Sequence, residues 1–398
     1  MSRLTTLRQT FAKVFGYGDR GEELRVFFAP GRVNLIGEHT DFTGGYVLPA
    51  ALTYGTWAVV HPRKDRTFHL ASTSFAEMVE IDIDRVVYQK ADGWANYPKG
   101  VFSEFKRLGL RLSGYDILYD GNIPKGAGLS SSASLEMVTA TALNQLEEFN
   151  CSLIELTKLA QRAENQFVGV NCGIMDQFAS GMGRAGNAVL LKCDTLDYRY
   201  VPLALGDYQL VITNTNKQRS LTGSKYNQRR QECEGGVHII QKHLSGIVSL
   251  GNVSLDQWQE VQKYVTSPEV FKRLDHVIHE NDRTLASTIA LEAGNIQEFG
   301  QYMLQSHESL RDLFEVTGPE LDTLFEEARQ VEGCLGTRMT GAGFGGCTVS
   351  LVHTEAVNDF KNQVTVGYKS KTGLTPTFYQ CDSGDGAREL RGLQDDDD

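Results

Sequence analysis

Between Ala29 and Gly45 the chain reads APGRVNLIGEHTDFTGG, which gathers Arg32, Glu38, His39 and Asp41 beside a Val-Asn-Leu-Ile run that favours burial. A guanidinium such as Arg32 suits a phosphoryl group in transfer. Glu38, His39 and Asp41 supply the directional donors and acceptors that a polyhydroxylated substrate needs. A charged turn opened by Gly44 and Gly45 would account for the glycines, but not for four functional groups in so short a span.

A second stretch, PKGAGLSSSAS at residues 124–134, carries Gly126 and Gly128, followed by Ser130, Ser131 and Ser132 where a helical pattern begins. Glycines permit close backbone approach, and the unpaired N–H groups of a helix start make an anion site to which hydroxyls can add hydrogen bonds. A plain turn with a serine cap uses the same residues. The chain has no Gly-x-x-x-x-Gly-Lys-Ser/Thr, so it is not a Walker-type phosphate loop.

Two acids follow. Helical spacing puts Glu164 on the flank of an apolar stripe, and Asp176 sits among Ile174, Met175 and Phe178. A carboxylate among apolar neighbours requires a partner. Ser132 and Glu164 offer the hard oxygen ligands that Mg2+ takes alongside nucleotide phosphates, leaving Asp176 to act on an acceptor hydroxyl. TGAGFGGC at 340–347 is a second glycine loop, expected to close over the nucleotide or to pack near the first loop. His276, His279 and Glu280 have metal-like spacing, but DHVIHENDR reads as a solvated helix face, and Cys172 reads as a small buried residue rather than a nucleophile.

These groups need a scaffold. An amphipathic opening helix is followed by LRVFFAP, TWAVVHPR, FHLAS and VEIDID, which read as strands, and then by a helix near 95–108. YDILYDGNIP leads as a strand into the first glycine loop and a long helix with Leu135, Val138, Ala142, Leu143 and Leu146 on one side. From about 190 onward strands and helices alternate. The expected division is a domain over 1–190 holding both motifs, a second domain over 191–389, and an acidic, disordered tail over 390–398.

With 398 residues, 41% of them hydrophobic, the chain can bury a large core, and its net charge of −11 argues against nucleic acid or an anionic membrane as partner. Seven dispersed cysteines with no Cys-x-x-Cys point to reduced thiols. The first residues lack a signal sequence's uninterrupted apolar run, and no stretch is apolar enough to span a bilayer. The expectation is a cytoplasmic protein acting on a small molecule.

GRVNLIGEHTDFTGG, GAGLSSSAS and TGAGFGGC together resemble the three motifs of the GHMP kinases, and the first is similar to that of the branch that phosphorylates D-galactose at O1. The resemblance covers about residue 20 to 389. It implies an α+β fold, with an N-terminal domain like that of ribosomal protein S5 and a ferredoxin-like C-terminal domain. It also implies ATP and Mg2+ as cofactors and a monomer. Arg32 and Asp176 would be catalytic. Arg32, Glu38, His39, Thr40, Asp41, Gly173, Asp176 and Tyr226 would hold the sugar. Gly126, Ala127, Gly128, Leu129, Ser130, Ser131 and Ser132 would bind the triphosphate, with Ser132 and Glu164 serving the metal and Ser72 and Trp94 near the adenine. Two alternatives stay open: a related kinase for N-acetylgalactosamine, mevalonate or homoserine, and a non-catalytic sugar and ATP sensor. Ser132-Ala133 in the loop argues against the sensor.

Overall fold

The computed structural model describes residues 2–17, 24–124, 126–217 and 222–391, so the acidic run 392–398 and Lys125 lie outside the described residues. The opening helix, Arg3–Phe15, is capped by the Ser2 hydroxyl and ends at a left-handed Gly16. It buries Leu4, Leu7 and Phe11.

The main sheet runs in spatial order Arg388–Leu390, Arg25–Asn34, Pro49–Pro62, Tyr115–Gly121, Thr67–Ser72 and Phe75–Asp82. Its pairs are antiparallel except Thr67–Ser72 with Tyr115–Gly121. A parallel pair needs a crossover, and the helix Asn96–Arg107 lies within that connection. The chain's last strand returns to this sheet, where Leu390, the first residue of the expected tail, pairs with Val26.

Against the sheet lies the helix Ser131–Leu146. Sequence periodicity gives it one apolar side, yet it is buried on nearly all sides, because the sheet covers one face and the helices Asn96–Arg107, Leu153–Arg162 and Met175–Met182 cover the others. Its small residues allow that approach: the Ser134 hydroxyl is 2.8 Å from both the Ala29 carbonyl and the Thr56 hydroxyl. A second, antiparallel sheet orders Cys334–Thr340, Cys347–His353, Tyr208–Asn214 and Thr377–Cys381. A third joins Tyr46–Val47, Asn187–Lys192 and Tyr198–Pro202.

The long helix Pro268–Glu292 corrects one expectation. His276 and Glu280 are fully buried rather than on a solvated face. Their polar atoms are matched by the 34–46 segment: Glu280 accepts from the backbone N–H groups of Gly37 and Glu38, and the His276 ring bonds the Glu38 carbonyl. Polarity in a sequence marks solvent only when no other polar surface packs against it. Among the described residues, no helix is long and apolar enough to cross a membrane.

Candidate active site

Strand Arg25–Asn34 carries an irregularity between Pro30 and Arg32 that breaks its register. A Cβ on Gly31 would come within 2.5 Å of the Leu129 carbonyl, so only glycine lets the strand meet the glycine loop, and Arg32 N–H donates to that same carbonyl at 3.2 Å. The irregularity re-aims the Arg32 side chain. Its guanidinium reaches Asp176 Oδ1 at 2.7 Å and the Gly128 carbonyl at 2.9 Å. The Ser130 hydroxyl donates to the other oxygen, Asp176 Oδ2, at 2.6 Å. Arg32 is nearly fully buried, whereas Asp176 retains 27% side-chain exposure into the cavity it borders.

That cavity, of about 480 Å³, is lined from both motifs. Arg32, Glu38, His39, Asp41, Gly173, Asp176 and Tyr226 form one part of its wall, and Gly126, Gly128, Leu129, Ser130, Ser131, Ser132 and Glu164 the other. Four expected residues lie outside it. Ala127 is buried beneath the loop. Thr40 donates its hydroxyl to the Gly37 and Tyr46 carbonyls at 2.8 and 2.7 Å, so it braces the turn instead of facing the cavity. Ser72 pairs across its strand ends with Phe75, whose ring stacks on Trp94 at 5.9 Å, placing both on one patch at the sheet edge.

The two walls share one backbone feature. His39 (φ 62°) and Ser130 (φ 60°) are non-glycine residues in the left-handed region, a conformation that costs on the order of 1 kcal/mol or more and concentrates at functional sites. Burial holds the His39 imidazole neutral, its pKa pushed down to about 3 mainly by loss of solvent and then by His276. The ring is bonded to the Ala342 backbone, its Nε2 is buried without a partner, and its face meets Phe314 and Tyr226 at 4.8 and 5.7 Å. Asp41 is pushed up to about 7, first by burial and then by Asp176. A Cβ on Gly173 would sit 1.9 Å from Asp41 Oδ2, so this position admits only glycine while Asp41 keeps its place.

Glu164 emerges from a π-helical turn, Ala163–Val168, that continues the helix Leu153–Arg162 and ends at a left-handed Gly169. The extra residue in the turn presents its carboxylate to Ser132, with which it shares a hydrogen bond. Burial and then Asp176 push Glu164 up to about 7. Its Oε2 also accepts from the Gln177 amide at 2.6 Å, and that amide reaches Glu136 Oε2 at 3.0 Å. Glu136 is fully buried and its pKa is raised well above the usual carboxylate range by desolvation and then by Glu164. Burial and Glu164 likewise push the Cys172 thiol up, so it is no thiolate nucleophile.

Sequence reasoning missed Glu136, Gln177, Arg338 and the link from Ser130 to Asp176. The Glu136 signal was present: it falls four residues after Ser132, on the same helix face, amid small and apolar neighbours. Arg338 carried no such sign, because its partner Glu38 is 300 residues away.

A cleft that joins a glycine-serine loop to a polar, directional pocket is the site of a small-molecule kinase. The GHMP kinases N-terminal domain family matches residues 96–184, and the GHMP kinases C-terminal family matches 287–369. The galactokinase galactose-binding signature matches 9–62. Galactokinase of Fusobacterium nucleatum is 48% identical over 98% of this chain and 100% of its own length. That of Bacillus subtilis is 49% identical, over 97% and 99%. The crystal structure of Lactococcus lactis galactokinase complexed with galactose superposes with a TM-score of 0.94, at 43% identity and covering 97% of this chain and all of that one. Methanococcus jannaschii mevalonate kinase, 17% identical with a TM-score of 0.66 over 92% of this chain and all of its own, shares the fold. The chain belongs to the galactokinase family of GHMP kinases.

Proposed function

We propose that the chain transfers the γ-phosphoryl group of ATP to O1 of D-galactose, giving galactose 1-phosphate and ADP. It is an ATP-dependent sugar kinase, as its family membership implies. The observation that carries the reading is the Arg32–Asp176 pair, held at 2.7 Å where the sugar-signature wall and the glycine loop meet in one cavity.

Asp176, fixed by Arg32 and Ser130, accepts a hydrogen bond from the anomeric hydroxyl and aligns its oxygen on the phosphorus. The O1–P bond forms as the bond from the γ-phosphorus to the β,γ-bridging oxygen of ATP breaks, that oxygen leaves with ADP, and the hydroxyl proton passes to Asp176. Arg32 neutralises charge on the equatorial oxygens, and the loop's N–H groups hold the remaining phosphates, so positioning and electrostatics do most of the work. Glu38, neutral His39, Asp41, Gly173 and Tyr226 hold the sugar.

For the cation, Ser132 and Glu164 are suited by their chemistry: two hard oxygen donors in mutual contact, with a carboxylate whose burial a positive charge would offset. Mg2+ bound there supplies charge neutralisation to the phosphates. Ser72 and Trp94, with Phe75 stacked beside them, are assigned to the adenine end. The reading includes a division into two domains near residue 190 and a monomer in the cytoplasm, a location for which seven dispersed cysteines without Cys-x-x-Cys spacing are the support.

The test is ADP release from ATP and Mg2+ with D-galactose, N-acetylgalactosamine, D-glucose, mevalonate and homoserine. Fastest turnover with galactose, giving a 1-phosphate, is the expected result. Galactose and ATP binding without ADP release would replace the enzyme with a sensor. Turnover with another acceptor alone would leave the phosphate chemistry standing and remove the sugar assignments of Glu38, His39 and Asp41.

A further inference from the structure

Arg338 lies in the strand Cys334–Thr340, just before the second glycine loop, and is completely buried. Its guanidinium is committed on every side. Nη2 donates to Glu38 Oε2 at 2.7 Å, Nη1 to the carbonyls of Asn34 and Leu35 at 2.9 and 3.3 Å, and Nε to the Ser306 hydroxyl at 3.2 Å. Glu38 borders the cavity and Arg338 does not.

We propose that Arg338 is a positioning residue for sugar recognition, holding one oxygen of the Glu38 carboxylate so that the side chain is presented to the sugar in a single orientation. The proposal rests on the reading of Glu38 as a sugar contact. Three observations separate it from ordinary packing. The backbone of Glu38 is already secured without Arg338: its N–H bonds Glu280 Oε1 at 3.2 Å and its carbonyl bonds the His276 ring at 3.1 Å. Besides bracing the Asn34 and Leu35 carbonyls, what Arg338 adds at Glu38 itself is therefore charge and direction at the carboxylate. Burial raises the Glu38 pKa, and Arg338, at 2.7 Å from its carboxylate, is the largest influence opposing that rise. Finally, a buried ion pair is seldom better for stability than apolar side chains of the same volume, so stability alone does not account for this one.

The experiment compares the wild type with E38Q, R338K and the double variant E38Q/R338M, on galactose and a set of its monodeoxy analogues, with KM for ATP and melting temperature alongside. E38Q should identify the hydroxyl that Glu38 reads, as the deoxy position whose penalty disappears. R338K should lose the same discrimination and raise the galactose KM at least about tenfold, while the ATP KM stays within about twofold. Wild-type discrimination in R338K, or an equal loss of sugar and ATP binding, would overturn the proposal. Should R338K fail to fold, the double variant, which leaves no lone buried charge, decides. Sugar binding equal to that of E38Q supports the proposal, and binding well below it overturns it. An E38Q that binds galactose and every analogue like the wild type would remove the sugar role of Glu38, and the proposal with it.

Discussion

The two walls of the cavity differ most in how deeply they are buried. On the sugar-signature side, Glu38 and His39 are 2% and 4% exposed, and their segment is bonded by Glu280, His276, Asn281 and Arg338 from distant parts of the chain. On the glycine-loop side, Gly126 and Ser131 are exposed, although Arg32, Asp176 and Glu164 tie down its Gly128 and Leu129 carbonyls and its Ser130 and Ser132 hydroxyls. The contrast follows from the ligands. A neutral polyol is distinguished by a few directional hydrogen bonds, which must be built before it arrives; a polyphosphate is held by charge and by backbone N–H groups that any sequence supplies. Asp176 and Arg32 sit at the seam and belong to both.

That division can be broken at its seam first. Asp176→Asn should lower turnover by about a thousandfold, in the range for a lost acid–base or orienting group, while leaving ATP affinity near normal. Turnover close to wild type would remove Asp176 from the reaction.

Next in size is Gly173→Ala. The new methyl collides with Asp41, so galactose KM should rise by about tenfold or more, equivalent to about 1.4 kcal/mol, with ATP KM unchanged. A parallel rise in both constants would mean that the walls are not separable. The mirror experiment is Gly128→Ala. Gly128 has φ 74°, where a side chain costs roughly 1–2 kcal/mol, so ATP KM should rise by about tenfold while galactose KM stays within twofold.

The smallest effect is on stability against pH. Asp41 ionises near 3.8 in an unfolded chain and at about 7 in the folded one. The native state therefore holds its proton more tightly, and the stability this contributes is complete below about pH 4 and lost as pH rises through about 7. Asp41→Asn does not titrate, so its melting temperature should gain on that of the wild type by roughly 5 °C between pH 4 and 8, although sugar binding is lost. A constant difference across that range would show that Asp41 is not the buried, proton-holding group described.

Much of the site was legible because its residues cluster in sequence. Arg32, Glu38, His39 and Asp41 fall within ten positions, and Gly126 to Ser132 within seven, so local composition exposed both walls. Glu164 was found as a carboxylate needing a partner, but the π-helical turn that presents it was not, because a single extra residue in a helix leaves no periodic trace. His276 and Glu280 were misread as solvent-facing for a related reason: a sequence reports polarity, and whether water or another polar segment satisfies it depends on what packs there.

The sequence by itself determined the chemistry on offer: a guanidinium, four carboxylates, an imidazole, two glycine loops, and the strand and helix periods that bury the segments between them. Only the tertiary structure decided which groups meet. The Asp176 carboxylate lies 144 residues from Arg32, and the Glu38 carboxylate lies 300 from Arg338. Contacts across such separations follow from how the sheets and helices pack, because the bonding range of a charged or polar group is a few ångströms in space and carries no mark in the order of the chain.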